Sequence, residues 1–186
     1  MKSRFMLVCL LLFTGACAAE TFIIDSNHTL PVFEVNHLGF STQRGRFNDT
    51  QGAIELDRKA HRGHVKFIIA ANSIDMGLPK WDEHMQSPDF FNTLQFPEIT
   101  FESSQFVFEG ENPVAAEGTL NLLGISRPLR LAIQGFTCGE NPIVKKPICA
   151  ANIEAHLKRS DYGMTKYLPG ISDEVRILIP VEAFRQ

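Results

Sequence analysis

Short runs in which apolar and polar residues alternate fill most of the chain, and they constrain its fold more than any other feature. In residues 30–38 (LPVFEVNHL), Phe33, Val35 and His37 fall on one face while Glu34 and Asn36 fall on the other. That period of two is the mark of a half-buried strand. Comparable runs occupy 22–24, 52–56, 64–71, 98–108, 115–123, 128–136, 150–157 and 174–183, with Gly, Pro, Asn or Asp at the joins. So many short strands without a long helical pattern between them predict an antiparallel sheet rolled into a barrel or sandwich. One interruption is helical. Residues 80–86 (KWDEHMQ) put Trp81 and Met85 one turn apart, and Ser87-Pro88 then opens a second short turn carrying Phe90 and Phe91, so that the two together form a lid on the barrel.

Residues 1–19 read as a signal peptide. Lys2 and Arg4 precede the apolar run 5–13 (FMLVCLLLF), and Ala16-Cys17-Ala18 follows the small-x-small rule for cleavage after Ala18 or Ala19. The alternative is a lipoprotein anchored at Cys17, disfavoured because Thr14 stands where a lipidation signal carries a bulky aliphatic residue. One domain is expected from residue 20 to 186, exported to a bacterial periplasm. With 18 Lys plus Arg against 21 Asp plus Glu, of which Lys2 and Arg4 leave with the signal, the mature chain is acidic and has no basic surface for nucleic acid. Of four cysteines, Cys138 and Cys149 alone are certain to survive maturation. They flank a turn-rich loop containing Pro142 and Pro147, and a structural disulfide across a hairpin mouth, outside any cavity, is the expectation.

No set of residues assembles a catalytic or metal centre. His61 and His64 flank a turn without a cysteine or carboxylate cluster, and consecutive Asp82-Glu83-His84 fan apart on a helix, as its wet face. Ser126 lacks the second glycine of a nucleophile elbow. His37 shares the parity of Phe33 and Val35 and points inward near a strand end, as a satisfied rim histidine or as a polar contact for a ligand headgroup. Arg159-Ser-Asp-Tyr-Gly163 forms a polar turn, pairing internally or with nearby backbone or standing at the barrel mouth. Phenylalanine, at 15 residues against two Tyr and one Trp, dominates the aromatic content. Such an interior offers area with few directed hydrogen bonds, and periodicity leaves open whether it is a solid core or a cavity for a long hydrocarbon.

Seven motifs in order carry a resemblance across the chain from about residue 21. They are His28 with Asn36-His-Leu-Gly39, Arg44-Gly-Arg-Phe47, His84-Met-Gln-Ser-Pro-Asp-Phe-Phe91, Pro97-Glu-Ile-Thr-Phe-Glu-Ser103, Gly118-Thr-Leu-Asn-Leu-Leu-Gly124, Arg159-Ser-Asp-Tyr-Gly163 and Asp173-Glu-Val-Arg-Ile. Together they resemble the YceI-like family of exported bacterial proteins. The resemblance implies an all-β, lipocalin-like, eight-stranded antiparallel barrel with a short helical lid and an apolar cavity for a polyisoprenoid or isoprenoid quinone. Its expected wall is Phe33, Val35, His37, Phe67, Ile69, Ile99, Phe101, Leu120, Leu122, Leu131, Ile177 and Ile179, with Phe90 and Phe91 on the lid and His37 nearest the polar end. A binding or carrier protein without turnover is expected, a monomer or homodimer with no cofactor besides its lipid and no metal. The alternative is an accessory of quinone-linked electron transfer, or an enzyme acting on a bound quinone, in transient contact with a membrane or a b-type cytochrome.

Overall fold

Eleven antiparallel strands form wherever the sequence alternates, and in two places where it does not. A computed structural model describes residues 19–186; the segment read as a signal peptide lies, through Ala18 and with Cys17, outside the described residues. In chain order the elements are β1 (Glu20–Ile24), β2 (Val32–His37), β3 (Ser41–Phe47), β4 (Thr50–Asp57), β5 (Arg62–Ala70), β6 (Ile74–Asp75), helix α1 (Pro79–Gln86), β7 (Glu98–Glu109), β8 (Asn112–Leu122), β9 (Ile125–Glu140), β10 (Pro147–Lys158) and β11 (Ile171–Arg185).

Eight strands close on themselves in the order β1, β4, β5, β7, β8, β9, β10, β11, with β11 returning to β1. Closure removes the free edges that an open sheet would expose to other chains. The remaining three strands extend from β11 as β2, β3 and β6. β11 is therefore shared. Its C-terminal part pairs with β1 (Ala183 opposite Ile24), and its N-terminal part pairs with β2 (Leu178 opposite Val32). One wall of the barrel is thus two short ribbons in series. At the seam between them β11 lacks a strand partner, and the buried Thr29 supplies one: its hydroxyl donates to the Glu182 carbonyl at 3.2 Å and accepts from the Glu182 N–H at 3.1 Å. Thr50 donates to the Thr29 carbonyl at 2.8 Å, tying the seam to β4. Both threonines are buried, where an unpaired backbone group would be costly.

Strand parity decides what faces inward, and two bulges reset it. On β7, Ile99 and Phe101 point inside, and the pairing with β8 then slips between Glu102 and Gln105. The Ser103 hydroxyl fills the irregularity, donating to the Glu117 carbonyl at 2.6 Å, and Phe106 then faces inward while Val107 faces out. On β9, Leu131 and Ile133 point inside, and Gly135 at φ +63° lets the strand gain a residue so that Phe136 faces inward too. Gly45 on β3 has a packing reason: a Cβ there would come within 2.5 Å of the Phe33 ring.

The lid sits at one end of the barrel. α1 starts with Pro79 at its first turn and buries no residue, so its tethers hold it in place. The Asp82 carboxylate accepts from the Met76 N–H at 2.6 Å, and Gln86 Nε2 donates to the Asn72 carbonyl at 3.3 Å. The expected second turn follows, with the Phe90 N–H donating to the Ser87 carbonyl, and it buries Phe91 against Phe33 and Phe47 and Phe90 against His84 and Tyr167. The β2–β3 turn, the β8–β9 turn and residues 163–170 share this end. The opposite end carries the β4–β5, β7–β8 and β9–β10 turns and both termini of the barrel.

Candidate binding cavity

The barrel is hollow. A cavity of about 390 Å³ runs along its interior, inside the range of about 300 to 1,000 Å³ typical of ligand pockets. All fourteen residues expected from sequence to form a lining stand on its wall: Phe33, Val35 and His37 on β2, Phe67 and Ile69 on β5, Ile99 and Phe101 on β7, Leu120 and Leu122 on β8, Leu131 on β9, Ile177 and Ile179 on β11, and Phe90 and Phe91 beneath α1. Alternation reached the twelve on strands because each strand shows one face to the cavity and one to water. Residues that it missed include Phe47 on β3, Ile153 and Leu157 on β10, and Trp81, His84 and Met85 on α1. Helical spacing was the available signal for the last three, since positions 81, 84 and 85 share one face.

Three expectations are corrected. His84, read with Asp82 and Glu83 as the wet face of the lid, lines the cavity beside Trp81. Its imidazole packs edge-on against Phe90, ring centroids 4.8 Å apart, and lies 6.3 Å from the Tyr167 ring. His64 belongs to β5 instead of a turn and meets Glu102 at 3.3 Å across the strands, while His61 stacks on Phe108 at 5.2 Å. The disulfide pairs Cys138 with Cys149 at opposed positions on β9 and β10, Cα atoms 4.1 Å apart, but the buried Cys149 is also part of the cavity wall at the far end.

Arg159 is the one charged residue on the wall. It is 4% exposed, at the start of the 3-10 turn Arg159–Tyr162, and spends its N–H groups on one loop. Nε donates to the Ser172 carbonyl at 2.8 Å, Nη1 to Met164 at 2.9 Å and Nη2 to Ile171 at 3.0 Å. Asp161 does not pair with it; the nearest carboxylate in charge terms, Asp173, accepts from the Ser160 N–H and hydroxyl at 2.8 and 2.7 Å. Those bonds from Ser160 hold the Asp173 pKa below the ordinary carboxylate value, while burial pulls the Arg159 pKa down. Ile171 also stands opposite His37 in the β2–β11 ladder and donates its N–H to the Tyr167 carbonyl at 2.9 Å. One loop, residues 163–172, thus brings His37, Arg159 and Tyr167 to the same end of the cavity.

The only cluster of metal-ligating side chains among the described residues is Asp25, His28 and Glu182, on the outside of the wall near the seam. The His28 Nδ1–Asp25 Oδ2 contact of 2.7 Å accounts for that grouping as an ion pair, and Asp25 raises the His28 pKa through this hydrogen bond. No helix among the described residues is long and apolar enough to cross a membrane.

A closed eight-strand ring, an apolar cavity and a helical lid specify a narrow set of proteins, and comparison identifies which. The model of the YceI-like domain matches residues 22–183. The chain belongs to the YceI-like family. Protein YceI of Salmonella arizonae is 32% identical over 185 residues, covering 98% of this chain and 96% of that protein. Among solved structures, Burkholderia cenocepacia BcnA shares the fold with a TM-score of 0.74 at 19% identity, covering 86% of this chain and 98% of BcnA. A polyisoprenoid binding domain from Saccharophagus degradans, implicated in plant cell wall breakdown, superposes with a TM-score of 0.64 at 14% identity, covering 89% of this chain and 98% of that domain. Membership of the family accounts for the barrel; the wall residues give this member its own interior.

Proposed function

We propose that this YceI-like protein is a binding or carrier protein that holds a long-chain isoprenoid-type lipid, a polyisoprenoid or an isoprenoid quinone, in the barrel without chemical turnover. The observation that carries this reading is a cavity of about 390 Å³ inside the barrel, walled mostly by aliphatic side chains and phenylalanines. Burying a hydrocarbon there removes apolar surface from water on ligand and protein together, at roughly 25 cal/mol per Å². The polyisoprenoid-binding domain of Saccharophagus degradans, with the same fold, supports the ligand class. The cavity side chains include no nucleophile held by a base, which favours carriage over catalysis. Export to a periplasm is supported by the signal-like segment at residues 1–19 and by the Cys138–Cys149 disulfide, a bond that persists in oxidising compartments.

The test is organic extraction of the protein purified from its own host, followed by mass spectrometry. A stoichiometric prenyl lipid is the expected result. Protein that carries no lipid and takes up none from a panel of prenols and quinones overturns the reading. Within such a panel, affinity should rise with chain length by up to about 0.8 kcal/mol per buried methylene until the cavity is full.

A further inference from the structure

The cavity reaches water at one place, and that place has a chemistry of its own. Of all the residues on the wall, three are exposed: Trp81, His84 and Tyr167. They sit together, His84 and Tyr167 within 6.3 Å centroid to centroid, and each carries a polar atom suited to the boundary between an apolar interior and solvent. These polar atoms are uncommitted. The histidines on the outer wall are bound to carboxylates, His28 to Asp25, His64 to Glu102 and His156 to Glu154. The side chains of His37, Trp81, His84 and Tyr167 hold no protein hydrogen-bond partner among the described residues, on a cavity wall whose other polar side chains at this end include Gln43 and Arg159.

Sign of charge is the second observation. No Asp or Glu stands on the cavity wall, and the single charged wall residue is the Arg159 cation, which forms no ion pair among the described residues. Of the acidic groups around the opening, Asp82 accepts from the Met76 N–H and Asp89 pairs with Lys166 at 3.0 Å, an ammonium that also lies 5.5 Å from the Tyr167 ring centroid, while the exposed Glu83 stands on α1 off the cavity wall. The indole N–H donates only, the imidazoles and the phenol can donate, and the guanidinium adds positive potential behind them. Such an opening is complementary to oxygen acceptors and hostile to an ammonium, which would meet donors and a like charge in a poorly solvated site.

We propose that this opening is a headgroup site selective for anionic oxygen groups, phosphate or carboxylate, held by Trp81, His84 and Tyr167 with Arg159 behind them, while the tail fills the barrel. The proposal rests on the lipid-binding reading above and adds to it that the headgroup, and not the tail alone, decides which amphiphile is kept.

Trp81 is the only tryptophan in the chain, so its fluorescence reports on the opening directly. The experiment titrates the oxidised, mature protein with geranylgeranyl phosphate, geranylgeraniol and geranylgeranylamine, probes that share one tail, and repeats the phosphate titration with excess inorganic phosphate. The phosphate should bind about tenfold or more tighter than the alcohol, which one charge-assisted hydrogen bond supplies, and the amine should bind most weakly. Inorganic phosphate alone should fail to compete, since it brings no tail. In the variants H84L and Y167F, which replace exposed side chains, geranylgeranyl phosphate should lose more affinity than geranylgeraniol, so that the phosphate-to-alcohol ratio falls toward one. Equal binding of the three probes, or an equal loss for phosphate and alcohol in the variants, overturns headgroup selection while leaving lipid binding intact. Absence of binding by any probe instead overturns the lipid-binding reading on which it rests.

Discussion

The two ends of the barrel are built on opposite rules. At the far end the turns are fastened to one another: Arg58 donates to the Glu111 carbonyl and the Asn112 side chain at 2.9 Å each and lies over the Phe136 ring, Asp57 accepts from the Ala60 N–H and from Arg62, and the disulfide joins β9 to β10. At the lid end Arg159 fastens the loop through backbone carbonyls, Asp173 holds Ser160 and Asp89 pairs with Lys166, while the polar atoms of Trp81, His84 and Tyr167 at the opening have no partner among the described residues. The difference teaches where this fold places stability and where it places availability. Polar side chains paired to each other are spent. Those at the opening are not.

Removing Arg159 should break the comparison most severely. Arg159→Ala leaves the Met164, Ile171 and Ser172 carbonyls without their donor in a buried setting, and the expected loss in urea denaturation is about 3 to 5 kcal/mol. The same variant, where folded, should lose the lipid, because residues 163–172 place His37 and Tyr167. A smaller effect is expected at the other end. Replacing Cys138 and Cys149 by Ser should lower stability by about 2 to 3 kcal/mol, the chain-entropy value for a loop of this size, without changing the preference among headgroups. A change in headgroup preference in that variant would show that the ends are not separable.

Acid should weaken both ends and the flank together. Hydrogen bonds from Arg176 and then His156 bring the Glu154 pKa down from 4.5 to about 2 on the outer face of β10 and β11. The Ala60 N–H lowers the Asp57 pKa at the far end, as Ser160 does for Asp173 at the lid end. A carboxylate with a depressed folded pKa contributes stability that is complete above its unfolded pKa and is lost as pH falls through the folded one. Thermal melts should therefore hold steady at neutral pH and decline below about pH 4.5, and Glu154→Gln should flatten that decline toward pH 2. The smallest effect belongs to the lid. Trp81→Phe alters a residue 45% exposed on a helix that buries nothing, and should shift stability by no more than about 0.5 kcal/mol while weakening amphiphile binding. Calorimetry separates the two.

Most of the sheet was legible from sequence because its strands show one face to the interior and one to water. β3 was not, and its residues explain why. Thr42, Arg44 and Arg46 point to solvent, and the opposite parity reads Gln43, Gly45 and Phe47, of which only the last is a large apolar side chain. The apolar mass under Gly45 comes from Phe33 on β2 and from Met76, so the alternation signal sits on the neighbours. The bulges at Ser103 and Gly135 were equally silent, since a parity change looks like the end of a run when only one strand is in view. In the cavity the greasy positions were readable. The opening was not, because it depends on which side chains lack a partner, a property of the assembled loops.

The ribbon-in-series wall has a mechanical consequence. The ring of eight closes through β1 and β4 alone, so the β2–β3 hairpin beside the opening is not a stave of it, and β3 has an outer partner only where Arg46 and Phe47 meet β6. Prying that hairpin outward breaks a few short-ranged bonds and leaves every ring contact in register, whereas widening the lower half would unzip the hoop itself. The barrel is a cup with a fixed base and a yielding lip. Passage over its rim is then governed by the compliance of one hairpin, and amide exchange in β2 and β3 should be the gauge of it.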